Sequence, residues 1–299
     1  MDSYKNTKPA IAQGWLRALL FVIFYFLITL SSGTLLMMLM PAAETRQAEP
    51  DARLVPLGFL VLAVVSMIVV WAFRKMIDRK SFASLGFEWT GNARHAGTGF
   101  ALSVLLLCAG SLILFFMNHL QWTDIHFSGT DLFIGLGLML IVAVYEETVF
   151  RGYILNNLLD SVNKWYALVF SAVLFALAHA ANPNIAVLPV VNIFLAGLLL
   201  GINYIYTKNL WFGILFHFGW NFFQGPVLGY QVSGVNLGSV LEQDLKGDTF
   251  FTGGQFGFEG SVVASALYLL SVGLLVFLYN RHFDSHRKAM RAEKSPAIT

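Results

Sequence analysis

Eight apolar runs decide what this chain can fold into. They lie at about 18–41, 54–73, 96–117, 132–159, 165–181, 185–206, 210–230 and 261–280. Runs of about 18 or more uncharged residues are long enough to cross a bilayer as a helix. Charged residues make up only 12% of the chain, about half the share found in a soluble domain. We predict an all-α, polytopic membrane protein with about eight transmembrane helices, forming one integral membrane domain over residues 1–299.

The first run follows Lys5, Lys8 and Arg17, as the apolar core of a signal sequence would. It is much longer than the roughly 7–15 residues of such a core, so we expect a retained helix. The single cysteine, Cys108, lies inside the third run and is expected to be a small buried side chain. A net charge of +2 and the lack of a basic patch argue against nucleic acid as a partner.

Lysine and arginine gather in alternate connections, which indicates the orientation of the chain. Five of them follow the second run, between positions 74 and 94, and five more lie in a basic tail over 281–299. Connection 118–131 holds two acids without a basic residue, and connection 231–260 holds four acids and one lysine. Short cytoplasmic loops carry an excess of Lys and Arg. We therefore expect the N- and C-termini, and the tail, to be cytoplasmic.

Ionisable residues inside the apolar runs are few, and each costs about 2.5–3.5 kcal/mol to insert. They are Glu146, Glu147 and Arg151 in run 4, His179 in run 5 and His217 in run 7, where Asn221 follows. The other histidines fall in connections, at a run boundary or in the tail and are expected to be solvated: His95, His119, His126, His282 and His286. These five ionisable residues, together with Asn221, are therefore the candidates for function.

Helical spacing predicts how these groups face one another. Residues four apart share a face, so Glu147 pairs with Arg151, while Glu146 points elsewhere and has no local partner. His217 and Asn221 also share a face, and the amide would fix the tautomer of the ring or hold an oxyanion. The pattern in "GLLLG", residues 197–201, fits close packing of run 6 against another helix.

Depth in the bilayer limits which groups meet. If run 4 ended at Arg151, Glu146 would lie near the cytoplasmic side, while His179 would lie about 22 Å above that side. The helical pattern continues through "GYILNNLLD" to about residue 159, which puts Glu146 near the middle of the membrane. We expect the polar residues to share an intramembrane active-site cavity that opens towards the cytoplasm, within a catalytic helical core at 131–230.

A carboxylate and two imidazoles are sufficient to activate water, with the glutamate as general base or with a metal held by the same side chains. Other protease chemistries lack their motifs. There is no HExxH, no GxSx motif opposed by a histidine, and no pair of aspartates within the runs. Hydrolysis of a peptide bond in or beside the membrane is the function that the set favours.

Three motifs carry a family resemblance: Glu146-Glu147-x-x-x-Arg151, Phe175-x-x-x-His179 and His217-x-x-x-Asn221. Their order and spacing resemble the signature of the CPBP family, the CAAX proteases and bacteriocin-processing enzymes also called Abi or Rce1-like. The resemblance covers runs 4 to 7. It implies an intramembrane endopeptidase acting on a membrane-associated peptide or protein, with or without lipid modification, in the bacterial inner membrane.

The resemblance also implies roles for the residues. Glu146 would activate water, His179 and His217 would bind that water or a metal, Asn221 would stabilise the oxyanion, and Glu147 with Arg151 would hold the helix. Glu146, His179 and His217 are the candidate ligands for a divalent metal such as zinc, and they just reach the three protein ligands of a catalytic zinc site. Metal-assisted and metal-free water activation both stay open, as does the substrate.

Two other functions also remain open. A non-catalytic membrane scaffold, or a bacteriocin-immunity protein that binds a partner peptide, would keep the polar cluster for structure. A small transporter or proton relay would also suit intramembrane Glu and His residues. The sequence shows no second copy of the motif and no paired interruption of the kind that many transporters carry.

Overall fold

The computed structural model describes residues 8–39 and 54–293, without the side chains of 33, 35–39, 54–55 and 283–293. Positions 40–41 of the first predicted run and 294–299 of the predicted basic tail lie outside the described residues. Within these described ranges, eight main helices follow one another: α1 (Gly14–Leu39), α2 (Leu54–Met76), α3 (Ala93–Phe116), α4 (Gly129–Glu147), α5 (Lys164–Ala178), α6 (Val187–Thr207), α7 (Trp211–Phe222) and α8 (Val262–Glu293). The Ser128 and Asn163 side chains cap the first turns of α4 and α5.

Two helices change their winding in the middle of the molecule. After α4, the chain continues as a π-helix over Thr148–Leu155 and a last turn at Asn156–Leu158. After α7 it continues as a π-helix over Phe223–Val227. The predicted extension of run 4 past Arg151 is therefore confirmed, since the helical segment spans Gly129–Leu158. π-helical turns are uncommon and often occur at functional sites.

Six helical segments among the described residues are long and apolar enough to cross a membrane: Gly14–Ser32, Pro56–Met76, Ala93–Phe116, Gly129–Leu158, Val187–Thr207 and Val262–His282. The segments corresponding to predicted runs 5 and 7 are shorter, because α5 has 15 residues and α7 has 12 before its π-helical extension. The all-α polytopic membrane fold is confirmed, but the count of eight transmembrane helices is not.

Among the described residues, three connections meet at one end of the bundle, which we call the sheet end: residues 117–131, which include the first turn of α4, 179–186 and 228–261. There β1 (Leu120–Ile125) pairs antiparallel with β2 (Leu241–Leu245). The Asn184 amide donates to the carbonyl oxygen of Gln255 over 3.3 Å, which joins the second connection to the third. The third also contains short helical turns, at Thr249–Thr252, Gly254–Phe256 and Phe258–Gly260.

The opposite end, which we call the basic end, is joined by buried charges. Asp78 accepts from Arg74 over 2.8 Å and from Arg17 over 3.4 Å, and Arg17 also pairs with Asp160 over 2.8 Å. A short 3-10 helix, Phe82–Leu85, lies in the connection that follows α2. The network joins the start of α1 to α2 and to the residues that follow the π-helix, so the two ends of the bundle are clearly distinguished.

Close helix packing explains the predicted "GLLLG" motif. A Cβ atom at Gly197 would lie 3.0 Å from Cα of Ala172, and one at Gly201 would lie 2.5 Å from a methyl group of Leu168. Both neighbours belong to α5, so the prediction of close packing is confirmed. The prediction for Cys108 is wrong, because its side chain is exposed on α3 rather than buried.

Candidate active site

The site lies where α4 changes to the π-helix. Glu146 and Glu147 are the last two residues of α4, and both are buried. His179 follows the last residue of α5, and His217 lies in the middle of α7. The structure brings together side chains that are up to 71 positions apart in the sequence, and the approach of α7 to the end of α4 makes the cluster.

Glu147 and Arg151 form the pair predicted from their spacing, with 2.7 Å between Nη1 of Arg151 and Oε1 of Glu147. Nη2 of Arg151 donates to the carbonyl oxygen of Gly197 over 3.1 Å, and the guanidinium lies 4.4 Å from the centre of the Phe175 ring. The pair is fully enclosed, so the arginine balances the carboxylate charge and also joins the π-helix to α5 and α6.

Glu147 also orients His217. The Nδ1–H group of His217 donates to Oε1 of Glu147 over 3.2 Å, because a carboxylate can only accept. In the neutral ring, Nε2 then carries a lone pair. Of the two roles that the spacing allowed for Asn221, fixing the tautomer of the His217 ring is taken by Glu147, and holding an oxyanion stays a prediction. Asn221 lines the cavity one turn further along the helix.

His179 is oriented by its own helix. Its Nδ1–H group donates to the carbonyl oxygen of Phe175, four residues earlier, over 2.8 Å. A carbonyl oxygen can only accept, so Nε2 of the neutral His179 ring also carries a lone pair. The fixed spacing of Phe175 and His179 thus determines the tautomer of the ring as well as its position.

Glu146 faces both imidazoles. Its Oε1 accepts from the hydroxyl of Tyr145 over 3.1 Å, a neighbour that the sequence analysis had not assigned. Its Oε2 has no hydrogen-bond partner among the described residues. That oxygen lies 3.7 Å from Nε2 of His179 and 3.8 Å from Nε2 of His217. With both rings neutral, three lone pairs converge here, and a water molecule that donates two hydrogens satisfies two of the three.

One metal ion held by all three side chains does not fit this arrangement. Metal bonds of about 2.1 Å place two ligand atoms no more than about 4.2 Å apart. The ligand atoms of Glu146, His179 and His217 do not all lie within 4.8 Å of one another, in contrast to those of another cluster among the described residues. Since each imidazole is close to Oε2 of Glu146, the two imidazoles are too far apart.

That other cluster, Asp124, His126 and Glu242, has the ligand spacing for a metal. Nε2 of His126 lies 3.3 Å from Asp124 and 3.2 Å from Glu242. All three side chains are exposed on the two-stranded sheet and line no part of the cavity. His126 is a surface group, as predicted, although it has acidic neighbours that the sequence analysis did not connect to it.

A cavity of about 480 Å³ lies beside Glu146, with His179, His217 and Asn221 in its wall. Much of the wall is apolar, with contributions from Phe26, Phe59, Leu62, Met139 and Phe216. A third carboxylate, Glu259, also lines it. The backbone N–H and the hydroxyl of Ser233 donate to Oε1 of Glu259 over 2.6 and 2.9 Å.

Glu259 was missed by the sequence analysis because it lies in a glycine-rich connection without periodicity. Burial raises the pKa of its carboxyl above the ordinary value of 4.5, and the two hydrogen bonds from Ser233 oppose that rise. The one available signal was an acid between two aromatic residues and the start of the last apolar run. Such a signal does not show that the side chain turns inward.

Fold and site together define a polytopic membrane protein with a buried carboxylate and imidazole centre beside an apolar cavity. Residues 128–223 match the family model of type II CAAX prenyl endopeptidase Rce1-like proteins. The match covers about a third of the chain, from the N-cap of α4 to the end of α7, and includes all six predicted site residues. It confirms the resemblance that the three motifs carry, and at the level of the family it supports a membrane protease. No curated protein matches the chain.

Proposed function

We propose that this chain is an intramembrane endopeptidase that hydrolyses a peptide bond of a membrane-associated substrate, in the plasma membrane of a bacterium. One observation carries the proposal: the unpartnered Oε2 of Glu146 faces two imidazole nitrogens inside an apolar cavity. A buried carboxylate oxygen without a partner is costly to retain in a structure that gains nothing from it. The family match supports the same class of reaction.

The proposed reaction begins with a water molecule that donates one hydrogen to Oε2 of Glu146 and the other to Nε2 of His179 or His217. Glu146 takes a proton from this water as its oxygen adds to the carbonyl carbon of the substrate, which gives a tetrahedral oxyanion. The side-chain amide of Asn221 donates to that oxyanion. Glu146 then passes the proton to the leaving nitrogen as the C–N bond breaks, and the products are one carboxylic acid and one amine.

The surrounding residues position the groups that act. Glu147 fixes the ring of His217 and is itself held by Arg151, while the carbonyl oxygen of Phe175 fixes His179. The apolar wall excludes bulk water, which strengthens the interaction of Glu146 with the developing charges. None of these steps uses a metal ion, in keeping with the separation of the two imidazoles.

The test is cleavage of a quenched fluorescent peptide library by the purified protein in detergent. We expect cleavage by the wild type to be abolished in Glu146→Ala and His179→Ala and to persist in 1,10-phenanthroline. Glu242→Gln, which removes an exposed carboxylate of the other cluster, is the matched control and should cleave as the wild type does. If chelation abolishes cleavage, the metal-free mechanism is wrong. Absence of cleavage by the wild type, together with less heat-stable variants, would favour the scaffold or immunity function.

A further inference from the structure

Along α1, the cavity wall begins well beyond the basic end. α1 starts at the basic end with Gly14, and its first residue in the cavity wall is Tyr25, about 16 Å further along the helix. From there the wall follows α1 as far as Thr34 and includes Phe59 of α2. The charged residues that join the basic end, Arg17, Asp78 and Asp160, do not line it.

Connections at the sheet end complete the wall. Asn182 belongs to the connection between α5 and α6, and Ser233, Leu237 and Glu259 belong to the connection between α7 and α8. These residues lie at the same end as the β1–β2 pair. The cavity therefore extends from the polar cluster around Glu146 to the connections of the sheet end.

The two ends differ in charge. The three connections of the sheet end carry Asp124, Asp131, Glu242, Asp244, Asp248 and Glu259 against one lysine, Lys246. The basic end has many cations in and beside its connections, among them Lys75, Arg79, Lys80, Arg94, Lys164 and Lys208. Connection 40–53 lies outside the described residues. By the positive-inside rule, the basic end faces the cytoplasm.

We propose that the substrate enters from the extracytoplasmic side, through a cavity mouth between the connections of the sheet end. This inference rests on the proposed function and narrows its substrate to a class: an apolar peptide segment that has been exported or lies in the outer leaflet. The proposal places the opening at the end opposite the basic connections, in place of the cytoplasmic opening that we expected from the sequence.

The test is labelling of single cysteines with a negatively charged maleimide in spheroplasts and in inverted vesicles. Cys108→Ala is the parent, and Asn182→Cys reports on the mouth. Thr130→Cys, exposed at the sheet end, and Thr90→Cys, exposed at the basic end, are the matched references. Leu237→Cys is a second mouth reporter in case Asn182→Cys does not fold, and each variant is first checked for the melting temperature of the parent.

We expect Asn182→Cys and Thr130→Cys to react about tenfold or more faster in spheroplasts, and Thr90→Cys to react faster in inverted vesicles, because the charged reagent does not cross the bilayer. Faster labelling of the mouth reporters in inverted vesicles, or none from either side, would overturn the proposal. The peptide cleavage assay separates the two ideas. If the mouth reporters react from outside but the protein cleaves no peptide, only the proposed peptidase function is rejected. If the protein cleaves peptide but the mouth reporters react from inside, only the proposed side of substrate entry is rejected.

Discussion

Two hydrogen-bond donors, and the absence of a side chain at Gly213, hold Glu147 in place. Arg151 and His217 both donate to its Oε1, over 2.7 and 3.2 Å. Its Oε2 occupies the space next to Gly213, where a Cβ atom would lie only 2.6 Å away. A contact of that length requires one group to move. The glycine therefore lets α7 approach close enough for His217 to reach the carboxylate.

Gly213→Ala should lower kcat for peptide cleavage by about 10–100-fold, the usual cost of losing a group that orients a catalytic side chain. The added methyl group displaces Glu147 and with it the ring of His217, and overpacking of this kind also destabilises a protein by about 1–3 kcal/mol. Gly137→Ala in α4 is the control, since a Cβ atom there meets nothing within 4 Å. Equal kcat values for the two variants would show that Glu147 does not act through His217.

The sequence was sufficient to predict some of these contacts. Glu147 with Arg151 followed from a spacing of four on one helix, and the pairing was confirmed. The hydrogen bond from His217 to Glu147 could not be predicted from the sequence, because it depends on how α7 is rotated relative to α4. Both helices are apolar on most faces, and no periodic pattern in them fixes that rotation. Tertiary packing, and Gly213 in particular, decides it.

At the scale of the elements, Arg151 connects three helices. It pairs with Glu147 at the end of α4, donates to Gly197 of α6 and lies over Phe175 of α5. The π-helix that carries Arg151 is wholly buried. The π winding was not predicted, because it depends on where the neighbouring helices offer partners rather than on residue preferences.

Arg151→Met should reduce the free energy of unfolding by about 3–5 kcal/mol, because it leaves the Glu147 charge buried without its partner. The double variant Arg151→Met, Glu147→Gln should recover most of that loss and still cleave poorly, since His217 loses its carboxylate. Unfolding in mixed micelles and peptide cleavage are the two measurements. A double variant as unstable as the single one would indicate that Arg151 stabilises mainly through Gly197 and Phe175.

At the scale of the whole molecule, stability and chemistry are placed at different depths. The polar cluster lines a cavity that extends to the connections of the sheet end. The charges that join α1, α2 and the segment after the π-helix lie at the basic end. The lengths of the apolar runs predicted the helices well. They could not show that the cavity leads away from the basic connections, because the direction of the cavity depends on how the helices pack against one another.

Asp78 is the centre of the basic-end network. It is fully buried and accepts from Arg17, Arg74, Tyr153 and Asn157, over 2.8 to 3.4 Å. Asp78→Asn removes the one charge that balances both Arg17 and Arg74 within this buried network, so we expect a loss of about 3–5 kcal/mol in the free energy of unfolding. The kcat of the folded variant should be unchanged, because none of these residues lines the cavity.

Asp244→Asn is the matched control for this prediction. Its carboxylate pairs with Lys246 at the surface of the sheet end, over 3.4 Å, and both side chains are about half exposed. Exposed pairs of this kind contribute about 1 kcal/mol or less. Unfolding in mixed micelles and cleavage of the same peptide, measured on both variants, give the comparison. If Asp78→Asn is no less stable than Asp244→Asn, the basic end is not what holds α1 to the bundle. If its kcat falls with its stability unchanged, the two ends are coupled, and the separation of stability from chemistry is wrong.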